Sequence, residues 1–152
     1  MKLKSLTSLK QQLKDLLFSQ SLAVLATQYR GQPYGSLIAF GVTDDLKHLL
    51  FATTRSTRKY TNLSKNPKVA IVIDNRSNRV DDFAKAIAAT ATGTVEELKG
   101  KGKERYLKLY LSKHPYLKEF VSSPTCAFLR VRVDTYYIVS RFQNVMELHI
   151  RS

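Results

Sequence analysis

The sequence predicts an α+β fold: a mostly antiparallel, barrel-like sheet of six or seven strands with helices at its periphery. Three observations carry this. Short apolar runs of strand composition recur along the whole chain, bounded by turn residues. The first three follow one another through short turns, as antiparallel strands do. Extended helical periodicity is confined to residues 1–20, 57–65 and 99–123, so helices flank the strands rather than alternate with them. Closing such a sheet removes exposed edges.

The elements follow in order. MKLKSLTSLKQQLKDLLFSQ spaces Leu3, Leu6, Leu9, Leu13, Leu16 and Leu17 for an amphipathic helix, without the continuous apolar centre of a signal peptide. Strands are expected at 21–28, 34–42 and 48–53, with Arg30-Gly31-Gln32-Pro33 and Thr43-Asp44-Asp45 as turns. A short helix at 57–65 is capped by Ser56 or Thr57, shows Tyr60 and Leu63 on one face, and stops at Asn66-Pro67. KVAIVID (68–74) has the β-branched composition of a buried strand. Residues 75–86 are polar and then permit one helical turn. IAATATGTVEEL (87–98) is a strand of small residues, which fits a large group packed on it or crowding by the opposite sheet. Residues 99–123 hold two helical pieces divided at His114-Pro115, with Tyr106, Leu109, Tyr110, Leu117, Phe120 and Val121 as apolar faces. In TCAFLRVRV (125–133), Ala127, Leu129, Val131 and Val133 alternate with Cys126, Phe128, Arg130 and Arg132. Strands at 135–142 and 145–150 complete the set.

A chain of 152 residues supports one domain, taken as 1–152. Lys and Arg number 25 against 12 Asp and Glu, and the net charge of +13 attracts anions: nucleic acid, acidic lipid or phosphorylated small molecules. The cations are spread along the chain with no basic arm, zinc-finger spacing or aromatic RNA-binding signature, so nucleic acid is not the expected partner. No apolar run reaches the length of a membrane span. Cys126 stands alone, which rules out an internal disulfide and makes a reducing cytoplasm the expected compartment.

Side-chain catalytic machinery is sparse. His48, His114 and His149 lie far apart without metal-ligand spacing, so no metal is expected, and His114 reads as a helix-junction residue. Asp81-Asp82 and Glu96-Glu97 are adjacent pairs whose side chains diverge, and they read as solvated. Cys126 reads as a packing residue. No nucleophile elbow, Walker loop or dinucleotide fingerprint is present. No catalytic residue is assigned, and a cofactor would carry any chemistry. The informative stretch is FATTRSTRKYTNLSKNP (51–67). It sets Arg58 and Lys59 in the first turn of a helix, where the macrodipole disfavours cations. Hydroxyls of Thr53, Thr54, Ser56, Thr57 and Thr61 surround them. Helix-start amides, hydroxyls and two cations together make a phosphate cradle; a basic helix end in solvent is the alternative.

The order of these elements resembles the FMN-binding split barrels related to pyridoxamine 5′-phosphate oxidase. In that family a strand ends in aromatic-x-Thr, a Ser/Thr-Arg-Lys triplet opens a helix, and Asn-Pro precedes a buried strand. Phe51-Ala52-Thr53, Thr57-Arg58-Lys59 and Asn66-Pro67 match in order and spacing. The small-residue strand ending at Gly93, and Tyr110 with His114-Pro115, also look like this family. The resemblance implies a split β-barrel forming a homodimer with FMN at the subunit interface. It implies an FMN-dependent oxidoreductase with a small-molecule substrate or electron donor; the alternative is a non-catalytic flavin- or haem-binding protein. Arg58 and Lys59 would hold the phosphate, with Thr53 and Thr57 beside it and Ala52 in the same segment. Ser36, Leu37, Ile38 and Ala39 would lie along the flavin ring and offer main-chain groups. Asn75, Arg76 and Ser77 would add contacts, and Arg141 and Phe142 would approach the ring from the partner chain. Pairing of the strand at 87–93 across the dimer would account for its small side chains. There are two departures. Gly35 and Ala88 stand where the oxidases proper place an Arg and a Gln, and SRFQNVMELHIRS replaces their longer Arg- and Trp-containing ending. Pyridoxamine phosphate is therefore expected to be a poor substrate.

Overall fold

The computed structural model describes residues 2–151, with side chains from residue 6 onward; the side chain of Leu3 lies outside that set. The elements are α1 (Lys2–Ser19), β1 (Leu22–Tyr29), β2 (Gln32–Ala39), β3 (Gly41–Val42), β4 (His48–Thr54), α2 (Arg58–Lys65), β5 (Lys68–Asp74), α3 (Asp82–Lys85), β6 (Ile87–Glu97), α4 (Lys101–Lys113), a 3₁₀ turn (Pro115–Leu117), α5 (Lys118–Ser122), β7 (Cys126–Ser140) and β8 (Asn144–His149). The strands form one sheet in the order β2-β1-β5-β6-β7-β4-β3, with β8 also on β7. Every pairing is antiparallel. The two ends of this order, β2 and β3, are one run of chain interrupted only at Phe40, so the sheet curls round into the expected barrel.

Two strands differ from expectation. The run at 34–42 splits at Phe40, whose amide makes the last bond of the β1–β2 ladder, to the Ser21 carbonyl at 3.3 Å. Only Gly41 and Val42 then pair with β4, and the expected three-strand meander shrinks to that contact. The runs at 125–133 and 135–142 instead merge into β7. Asp134 is taken up as a bulge: Val133 pairs with Gly93 and Thr135 with Thr92. A Cβ on Gly93 would lie 2.2 Å from the Arg132 carbonyl oxygen, so this glycine serves the bulge itself.

Alternation along the strands builds the core. Leu25, Ile71, Ile73, Ala89, Ala91, Leu129, Val131 and Ile138 point inward, and Leu13, Leu16 and Leu17 of α1 pack on them. Ala89 and Ala91 are small because the barrel interior is crowded there. Leu6, expected on the apolar face of α1, is 42% exposed. The other face of β4 and β7 holds a second cluster of Leu50, Phe128, Tyr106, Tyr110 and Val121 beneath α4 and α5, as the alternation at 125–133 predicts. No helix among the described residues is long and apolar enough to cross a membrane.

Candidate functional site

The start of α2 is built by its own turn. Thr57 is the N-cap: its Oγ1 accepts the Tyr60 amide at 3.3 Å and donates to the Thr54 carbonyl at 3.0 Å. Thr53 Oγ1 sits 2.9 Å from Thr57 Oγ1 and 3.2 Å from the same carbonyl. Both hydroxyls are thus satisfied inside the turn. The Thr61 amide goes to the Thr57 carbonyl, which leaves the Arg58 and Lys59 amides as the helix's open donors. Arg58 is exposed and Lys59 half-buried, and among the described residues neither forms an ion pair. Ala52 and Thr53 lie just before this turn on β4, with Thr53 buried.

Arg55, the third cation of residues 55–59, is not free. Its Nη2 donates to Glu97 Oε2 at 2.6 Å and its Nη1 to the Pro124 carbonyl at 2.9 Å. Tyr60 Oη donates to the other Glu97 oxygen at 2.7 Å. Burial opposes the Glu97 charge, but the hydrogen bonds from Tyr60 and Arg55 outweigh it and hold the carboxyl below its ordinary pKa. The sequence reading of Glu97 as solvated is corrected, while Glu96 is exposed as expected and pairs with Arg130 at the surface. Glu97 faces Leu129, which faces Phe51. Only this register brings Glu97 toward Arg55, and no local pattern announces it. Asn62 was also missed: buried on α2, its Nδ2 donates to Thr27 Oγ1 at 3.1 Å and ties the helix to β1.

β2 ends the sheet order, so one of its edges carries main-chain groups unpaired by β1. On it, Ile38 turns into the core and Leu37 outward, 68% exposed. Ser36 Oγ is shielded and has no hydrogen-bond partner among the described residues. The Ala39 carbonyl already accepts from Tyr110 Oη at 2.9 Å. β2 also touches β4 across the split.

Asn75, Arg76, Ser77, Arg141 and Phe142 form a second group. Ser140, where β7 ends, pairs with Ile87, whose amide donates to Asn75 Oδ1 at 2.8 Å. The whole length of β7 separates this end from Cys126, the partner of Thr54 beside α2, so one subunit does not unite the two groups. Arg76 pairs with Asp74 at 2.9 Å, and Ser77 donates its amide and hydroxyl to Asp82. Asp82 thus caps this loop from the surface. Arg141 and Phe142 have φ of 49° and 67°, a conformation costing about 1–2 kcal/mol for a residue with a side chain. That turn holds the exposed Phe142 edge-on to the exposed Phe83, with ring centroids 5.2 Å apart.

The outward face of the sheet is apolar. By register, Leu37, Val24, Val72, Thr90 and Tyr137 form one cross-strand row, with exposed Leu22 and Val145 nearby. The histidines are each engaged: His48 edge-on to Tyr106, His114 buried against the Phe40 carbonyl, and His149 with Thr135 and Glu147. No cluster of potential metal ligands exists among the described residues. Cys126 is buried, and burial raises its thiol pKa. Burial lowers the Lys113 amine to about 8.

The family profile described as pyridoxamine 5′-phosphate oxidase matches residues 9–140. No curated protein matches the chain by sequence. In shape the chain is similar to a heme binding protein from Mycobacterium smegmatis, with TM-score 0.79 and 18% identity over 88% of this chain and 55% of that one. It therefore spans about half the length of that protein. It is similar to a FAD-binding protein from Mesorhizobium loti, with TM-score 0.69 and 18% identity over 85% and 90% of the two chains. It is also similar to General Stress Protein 26 from Bacillus anthracis, with TM-score 0.70 and 21% identity over 93% and 98%. At such identities shape shows the fold alone. The profile match covers most of the sequence, and on that ground the chain belongs to the pyridoxamine 5′-phosphate oxidase family.

Proposed function

We propose that the protein is an FMN-dependent oxidoreductase that works as a homodimer, with flavin held at the subunit interface. The observation that carries the reading is the pair Arg58 and Lys59. They stand without an acidic partner at a helix start, while their neighbour Arg55 is neutralised by Glu97. Two unpaired cations beside two open amides suit a phosphate monoester.

The residues present fit the rest of the cofactor. The unpaired edge of β2 supplies main-chain donors and acceptors for the polar side of a flavin ring, and the orphaned Ser36 Oγ lies on the same strand. Leu37 and the apolar outward row would meet a second copy, closing the ring off from water. The strained Arg141-Phe142 turn, remote from the Arg58 end of its own chain, would reach the partner's ring.

Bound flavin would supply hydride or electron transfer. The protein's part is to bind the phosphate through Arg58 and Lys59, orient the ring along β2 and exclude water at the dimer face. The basic surface would draw in an anionic substrate or nicotinamide donor. A haem reading has the similarity to the Mycobacterium smegmatis protein behind it, but His114 is fully buried with its Nε2 on the Phe40 carbonyl, which removes it as an axial ligand. The reading is tested by the spectrum and mass of ligand released from purified protein, followed by reduction with a nicotinamide donor. A colourless protein that takes up no FMN on titration would overturn it.

A further inference from the structure

The last turn of α4 reaches into the break between β2 and β3. Tyr110, Lys113 and His114 share one helical face at i, i+3 and i+4. Tyr110 Oη donates to the Ala39 carbonyl at 2.9 Å, and His114 Nε2 donates to the next carbonyl, Phe40, at 2.7 Å. Lys113 Nζ lies 3.9 Å from the centre of the Phe40 ring and donates to the Leu17 carbonyl at 3.0 Å. A strand that changes partner from β1 to β4 leaves backbone groups without a ladder, and buried groups must find partners. Here one helix end supplies both carbonyls with side-chain donors. His114 is fully buried and packs against Tyr110, with ring centroids 5.1 Å apart.

We propose that this turn is a clamp that positions β2 for the flavin, and that His114 is its principal positioning residue. By fixing the break at Phe40, the clamp sets where the free edge of β2 stands relative to β4, and so the slot into which the ring's polar side fits. The inference rests on the flavin reading above. It differs from the phosphate contacts in kind: the clamp governs the ring, which FMN and riboflavin share.

Amide exchange and flavin titration of His114→Ala, His114→Gln and Tyr110→Phe test it. In the flavin-free protein, His114→Ala should speed exchange of the Leu37–Phe40 amides about tenfold, the effect of one lost hydrogen bond. Amides of β5 and β6 should keep their rates. FMN and riboflavin should weaken alike, about tenfold, with a shift of the flavin's visible band. A Gln at 114 can place its amide Nε2 near the same carbonyl and should restore most of the affinity. Tyr110→Phe keeps the ring, removes one donor and should act in the same direction with a smaller effect; it serves if His114→Ala fails to fold. Unchanged flavin affinity and spectrum in folded His114→Ala and Tyr110→Phe would overturn the clamp while leaving the flavin reading intact. Wild-type protein that binds neither flavin would remove both.

Discussion

Arg55 and Glu97, 42 residues apart, meet at 2.6 Å where the end of β6 comes against the turn before α2. The contact takes one cation out of the three at residues 55–59 and leaves Arg58 and Lys59 as the two at the helix start that can receive an anion. It also ties that turn to β6, with Tyr60 of α2 on the same carboxylate.

Arg58→Ala should weaken FMN binding by roughly 1.5–3 kcal/mol, the range for a hydrogen bond to a charged group. Riboflavin affinity should barely change, because it lacks the phosphate. Lys59→Ala should act in the same direction but less, since an ammonium lacks the bidentate fork. Lys65→Ala, at the far end of the same helix, controls for general loss of charge. Equal losses of FMN affinity in Arg58→Ala and Lys65→Ala would reduce the stretch to a basic helix end.

Glu97 should make stability acid-sensitive. Its folded pKa is depressed below the ordinary 4.5. The stability it contributes is therefore present above that ordinary value and lost as pH falls through the lower folded value. Urea melts of wild type and Glu97→Gln from neutral pH down to about pH 3 should show a shallower acid decline in the variant. Parallel profiles would show that the Arg55–Glu97–Tyr60 cluster is energetically silent.

Gly93→Ala should destabilise by about 1–3 kcal/mol or more, because its Cβ would enter the Arg132 carbonyl, a backbone atom that cannot swing away. Gly102→Ala on α4 meets nothing within 4 Å and should stabilise by about 0.4–1 kcal/mol. Thermal melts of the two variants should move in opposite directions; a shift of the same sign in both would contradict this.

The outward apolar row should be a dimer face. Light scattering at micromolar concentration should give a dimer mass for wild type and a monomer mass for Leu37→Asp, which sets a charge at the exposed β2 end of the row. Loss of bound flavin should accompany dissociation. An unchanged mass in Leu37→Asp would place the interface elsewhere.

Pyridoxamine 5′-phosphate should turn over far below about 10 per second, the typical enzyme rate. Gly35 and Ala88 stand on the outward face where the oxidases carry an Arg and a Gln. A rate at that typical value would show that those side chains are dispensable.

Periodicity made most of the fold legible. Alternation in Ala127–Val133 marked which side chains face the barrel, and Thr57 with Asn66-Pro67 bounded α2. The break at Phe40 was not legible because it depends on donors from Tyr110 and His114, about seventy residues further on. The bulge at Asp134 looks in sequence like a gap between strands, since one extra residue interrupts alternation in the same way a turn does. Within the candidate site, Arg58 and Lys59 stood out through their conflict with the helix dipole, a local signal. Glu97 became meaningful only through the registers of three strands, and the separation of Asn75 and Arg141 from Arg58 only through the length of β7.

β7 also constrains when the protein can acquire its shape. It pairs with β6 along one edge, and along the other first with β4 and then with β8. Until residues 126–140 have left the ribosome, β4 lacks its main neighbour and β6 has only β5 beside it. The Arg58 turn therefore forms on an incomplete sheet, and the loops that must close before β4 and β7 meet are long. Chaperone demand during synthesis should concentrate in that interval, and stalled chains ending before Cys126 should be protease-sensitive across β4 while those extending well past β8 resist.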